Sequence, residues 1–241
     1  MNTEIVLAII LAVFVFLKNL SGGSCRKCRR LTAVFVLIFG VLMATDVSAQ
    51  TLKFDAALEQ DFKAATNGDE SASKRAMKRA EKILEVNPKD AETLVWSGSL
   101  TLMNSGNAFK SGNFAEGGAL WRKGLQRMES AVQTNPENVN IRLVRGATLL
   151  SAARNFPDPA VAKSLRATGI VDYEKVLTIT GDKFKQLPER ERQQVLFGLG
   201  SAYDKTNDKI KAREFYARLV NESDAPSQMR SIAQKWLAEN K

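Results

Sequence analysis

Histidine is absent from the 241 residues, and cysteine occurs only at Cys25 and Cys28. Without imidazole there is no Ser-His-Asp or Cys-His catalysis, no haem held by histidine and no common type of zinc hydrolase site. The Cys25/Cys28 pair lacks what a zinc or redox role requires, a second ligand pair or a βαβ setting. Asp182, Glu189 and Glu191 have no metal-like spacing, and nothing suggests the shared pocket that paired carboxylates need for acid/base work. Phosphate loops and nucleophile elbows are missing as well. The expectation is a non-enzyme with no cofactor and no metal. What is present is ordinary for a folded chain: 44% apolar and 25% charged residues.

Two apolar runs open the chain, Ile5 to Leu17 and Leu31 to Ala44. Each is shorter than the roughly 20 residues a helix needs to cross a bilayer. The basic stretch Cys25–Arg30 precedes the second run, and small residues follow it at Val47 and Ala49. That order is the pattern of a secretory signal peptide, with cleavage expected after Ala49. The first run then reflects either a start codon placed too early or a membrane hairpin whose basic segment stays in the cytoplasm. Both readings make residues 1–49 a leader and export residues 50–241, to the periplasm or beyond. Membrane contact is then through the leader alone, if it is not cleaved. Cys25 follows Ser21-Gly22-Gly23-Ser24, a poor match to a lipoprotein processing site. The exported part would hold no cysteine, so its stability must come from packing. The leader carries +3 of the net +9, leaving a mildly basic +6. No dense basic block with interleaved aromatics points to nucleic acid.

From Thr51 onward helical periodicity dominates and strand alternation is nearly absent, which predicts an all-α fold. Ala76, Met77, Ala80, Ile83 and Leu84 form one apolar stripe, and Ala212, Phe215, Tyr216 and Leu219 another. Asn87-Pro88-Lys89-Asp90 recurs 48 residues later as Asn135-Pro136-Glu137-Asn138. Proline ends one helix, and Asp90 or Asn138 supplies the N-cap of the next. The following helices share an interior glycine: Gly98, Gly146 and Gly200. Such a glycine costs about 1 kcal/mol relative to alanine, so close approach of a neighbouring helix is expected there.

At these positions the chain resembles a tetratricopeptide repeat (TPR) protein of the exported, bacterial cell-envelope type. Residues 193–226 carry the likeness best, through Leu196, Leu199, Gly200, Tyr203, Ala212 and Tyr216. The resemblance implies a right-handed superhelical stack of antiparallel helix pairs. Four units are expected: 52–66 with 71–86, 90–105 with 117–134, 138–155 with 159–179, and 189–206 with 208–222. Ser227 to Asn240 reads as a C-terminal capping helix, with Trp236 as a core anchor.

The resemblance also implies a concave groove lined by the first helix of each pair, gripping a protein partner. By spacing, Val95, Ser99, Leu102, Leu143, Ala147, Leu150, Phe197, Ser201 and Asp204 are expected to face it. They are mainly small and apolar, which suits an amphipathic helix or an extended peptide, or else another helix of this chain. The paired lysines and asparagines with which some members clamp a C-terminal carboxylate are missing. Asn104 to Gly118 reads as a flexible insertion loop offering Phe109 and Phe114 as contact anchors. Arg142 and Arg145 share a helix face and read as solvated, or as receivers of an acidic partner. The functional expectation is an exported, non-catalytic scaffold for protein–protein interaction. The alternative is a helical carrier of a lipid or hydrophobic ligand.

Overall fold

A computed structural model describes residues 53–223 and 226–240. The leader, with its signal-peptide and anchor readings, lies outside the described residues. Helices α1 to α9 span Ala56–Thr66, Glu70–Val86, Ala91–Lys110, Phe114–Thr134, Val139–Asn155, Pro159–Thr180, Glu189–Lys205, Lys209–Glu222 and Gln228–Glu239. A short 3₁₀ turn, Gly181–Gln186, joins α6 to α7. There is no strand among the described residues, so the fold is all-α. No described helix is long and apolar enough to cross a membrane.

Side-chain caps set the helix starts. The carboxylate of Asp90 accepts from the amide of Thr93 at 2.9 Å, and the Asn138 side chain accepts from Ile141 at 3.1 Å. Asp55, Asp69, Asn113, Asp158, Asp208 and Ser227 act the same way. Each relieves one, and Asp158 two, of the amides that a helix start leaves without an internal partner. Asp55 also places the start of α1 at Ala56, four residues beyond the expected 52.

The helices pack as antiparallel pairs, α1 with α2, α3 with α4, α5 with α6 and α7 with α8, and α9 lies against the last pair. All other close backbone approaches among the described helices join consecutive pairs. The first helices touch in series, α1 to α3, α5, α7 and α9, while each second helix touches the first helix of the following pair or, at the end, α9. Two apolar clusters result, and α5 belongs to both. Ile141, Leu149 and Ala153 join Leu94, Val95, Leu102 and Met128 on one side. Leu143 and Leu150 join Tyr173, Leu196, Leu199 and Tyr216 on the other.

The interior glycines mark the pair crossings. A Cβ on Gly98 would stand 2.9 Å from the Gly124 carbonyl oxygen, and one on Gly124 would stand 2.9 Å from that of Gly98. Here the two backbones touch. At Gly146 and Gly200 the visitor is instead a ring, Tyr173 at 2.6 Å and Tyr216 at 2.7 Å.

The expected loop at Asn104–Gly118 is a helical hairpin. Helix α3 runs on to Lys110 and α4 begins at Phe114, leaving only Ser111, Gly112 and Asn113 as the turn. Gly112 takes φ +81°, which only glycine adopts without strain, and Asn113 caps α4. The helix persists because Leu102, Ser105 and Ala108 continue its buried stripe. Gly117 serves packing, since a Cβ there would strike the Phe109 ring at 2.6 Å.

Candidate interaction surface

The residues expected to line a groove lie mostly on seams inside the molecule. Val95, Ser99 and Leu102 of α3 are buried, and the Ser99 hydroxyl hydrogen-bonds Thr148 of α5 at 2.7 Å. Leu143 and Leu150 are buried, and half-buried Ala147 packs with them, in the cluster shared with α7. Phe197 lies 6.0 Å from the Tyr216 ring, and Ser201 hydrogen-bonds the Tyr216 hydroxyl, both half-buried. Burial pushes the Tyr216 phenol up to about 12, with Ser201 opposing the rise. Asp204 pairs with Lys209 at 2.5 Å and hydrogen-bonds Trp236. The expectation of an open lining is therefore corrected for Val95, Ser99, Leu102, Leu143 and Leu150. Their helix faces meet the partner helix or the neighbouring pair, so this chain itself fills the space. Successive residues turn by about 100° on a helix, so the open stripe lies only about one residue away.

Arg142 and Arg145 are not solvated. Both are buried on α5 and converge on Asp172 of α6, which is fully buried. Asp172 accepts from Arg142 Nη1 at 2.8 Å, Arg145 Nε at 2.7 Å and Arg145 Nη2 at 2.8 Å. Arg142 Nε also donates to the Pro136 carbonyl at 3.0 Å, and Arg145 Nη1 to Glu129 of α4 at 2.5 Å. Burial works against the charge of Arg145, but Asp172 and Glu129 hold its pKa above the usual value. Next in sequence, fully buried Tyr173 seats its ring on Gly146 of α5 and Gly198 of α7, and its hydroxyl hydrogen-bonds Gln194. Residues 172 and 173 thereby tie α4, α5, α6 and α7 together. The arginines already have their acidic partner, and it belongs to this chain.

What remains open on the first helices is a different stripe. Met103 and Asn107 of α3 are exposed, as are Asn140 and Ser151 of α5, while Trp96, Val144 and Gln194 are half-buried. Trp96 stacks on Phe62 of α1 at 5.9 Å. Charged groups stand on α1 and α7. Glu59 and Lys63 pair on α1 at 2.7 Å, and their charges reach Glu191 on α7. Burial raises the Glu191 carboxyl above its ordinary value, Lys63 opposes the rise and Glu59 adds to it.

The hairpin tip places the other two expected contact residues together. The Phe109 and Phe114 rings lie 6.4 Å apart; Phe109 is half-buried, and Phe114 is 72% exposed. Among the described residues no group of three or more acidic or thiol side chains could hold a metal ion. These features define an all-helical protein of consecutively packed pairs with a mixed apolar and charged face. Compared with known protein families, with characterised proteins and with solved structures, the chain matches none.

Proposed function

We propose that this chain is an exported, non-catalytic, TPR-like scaffold that docks a peptide or helix of a protein partner. Its helix pairs stack as a right-handed superhelix, and the docking face is the open stripe of the first helices. The consecutive contacts of α1, α3, α5, α7 and α9 support the stacking, as does the repeated seating of a glycine on a large side chain (Gly98 on Met128, Gly146 on Tyr173, Gly200 on Tyr216). The observation that carries the docking is that Trp96, Met103 and Val144 keep exposed or half-buried apolar side chains on the first helices, which also carry the Glu59–Lys63 pair and Glu191. Apolar and charged side chains on the same helices suit an amphipathic segment, whose apolar face gains burial while its polar face stays wet.

A photo-crosslinking residue placed at Met103, and separately at Ile210 of α8, tests this in cells exporting the full chain. Ile210 is 83% exposed and lies on a second helix. Crosslinks to a protein from Met103 and none from Ile210 support docking on the first helices. Equal yields, or crosslinks from Ile210 alone, place the partner elsewhere.

A further inference from the structure

The second helices repeat one buried pattern four times. Ala76, Ala80 and Ile83 in α2 match Gly124, Met128 and Ala131 in α4, Gly169, Tyr173 and Val176 in α6, and Ala212, Tyr216 and Leu219 in α8. The register is anchored structurally, because the middle residue meets the first-helix glycine in the last three pairs. Directly after that middle residue stand Glu81, Glu129 and Glu174, and then Ala217.

Each of these glutamates reaches a basic residue of the next pair. Glu81 binds Arg127 at 2.7 Å and Lys123 at 3.4 Å, both on α4. Glu129 binds Arg145 of α5 at 2.5 Å. Glu174 lies 3.7 Å from Lys211 of α8, and the Tyr203 hydroxyl of α7 donates to it while accepting from Lys211 at 3.0 Å. The backbones of consecutive second helices stay apart, with no Cα of one within 8 Å of the next. Glu81 and Glu174 thus span consecutive second helices by side chains, α2 to α4 and α6 to α8, while Glu129 reaches the first helix of the following pair.

We infer that this glutamate is a clasp repeated from pair to pair, fixing how closely each second helix sits to the pair that follows it; at the fourth position stands Ala217, on the helix against which α9 packs. A chance scatter of surface ion pairs has no reason to fall at one register or to point always to the following pair. The two outer clasps are half-exposed and are screened by salt. In the middle clasp Glu129 is also about half-exposed, but its partner Arg145 is buried and shared with Asp172.

Native-state hydrogen exchange of the full chain, resolved by helix, tests the inference. In Glu81→Gln the amides of α1 and α2 should exchange roughly three- to fivefold faster at low salt, the range that ion pairs of this exposure allow. Protection in α7 and α8 should stay unchanged, and Glu174→Gln should show the mirror result there. Salt at about 1 M should erase the differences, and the swap Glu81→Arg with Arg127→Glu should restore protection. Unchanged exchange in both single variants, acceleration spread evenly over all helices, or a swap that fails to restore protection would each overturn the clasp.

Discussion

Replacing Asp172 with asparagine removes the one carboxylate on which two buried guanidinium groups converge. The side chain has no solvent exposure and accepts three charged hydrogen bonds between 2.7 and 2.8 Å. Removing one member of a buried ion pair costs about 3–5 kcal/mol, because the partner charge stays behind in a poor solvent. Here Arg145 keeps Glu129 and Arg142 keeps the Pro136 carbonyl, so the low end applies, about 3 kcal/mol. Against a total stability of about 5–15 kcal/mol, that is a large fraction. For a domain of this size it corresponds to a fall in Tm of roughly 6–12 °C. Urea unfolding followed by circular dichroism measures it directly. The midpoint should fall with an unchanged slope, because the surface exposed on unfolding is the same. Joint replacement of Arg142, Arg145 and Asp172 by Met, Met and Leu should recover much of the loss, since no uncompensated charge then remains. A single Asn variant within about 0.5 kcal/mol of the parent, the range of ordinary surface substitutions, would refute the reasoning.

The glycines separate by surroundings. Gly98→Ala places a methyl group 2.9 Å from a carbonyl of α4 and should cost about 1–3 kcal/mol by overpacking. Gly106→Ala meets nothing within 4 Å on the same helix and should stabilise by about 0.5–1 kcal/mol through the unfolded chain; thermal melts of the two variants should move in opposite directions. Glu191 supplies a pH signature. Its carboxyl is raised from the ordinary 4.5 by burial, so the folded state holds that proton more tightly and stability rises as pH falls through the raised value. Glu191→Gln should therefore be more stable than the parent at pH 7, with the gap closing in acid. A gap that stays constant down to pH 4 would show that burial of this carboxylate is not the cause. Glu81 has the opposite sign. Burial would raise it, but Arg127 and Lys123 pull it below 4.5, so its stabilisation is lost as acid protonates it.

Local chemistry was readable from the residues alone. Asp90 and Asn138 cap helices because a short side chain before an apolar stripe has free amides to satisfy, and that needs only neighbours in sequence. The glycines at 98, 146 and 200 announced close approach for the same reason: an uncompensated cost inside a helix. Glycine and asparagine at 104–118 suggest a loop, yet the buried stripe of Leu102, Ser105 and Ala108 carries the helix on to Lys110. The repeated glutamate at 81, 129 and 174 was also in the sequence. It became visible only once the buried triads had fixed a common register.

Which face of a first helix stays open was decided by tertiary packing. Helix α5 buries opposite sides in two clusters, and a helix apolar on both sides has no single direction for periodicity to report. Charge pairing shows the same limit. Arg142 and Arg145 looked like surface residues because their partner Asp172 lies 30 and 27 residues away. The sequence by itself determined the caps at Asp90 and Asn138 and the glycines where two helices must touch, since those depend on near neighbours. Only the folded arrangement decided which groups lost their water, because burial is a property of everything that surrounds a residue.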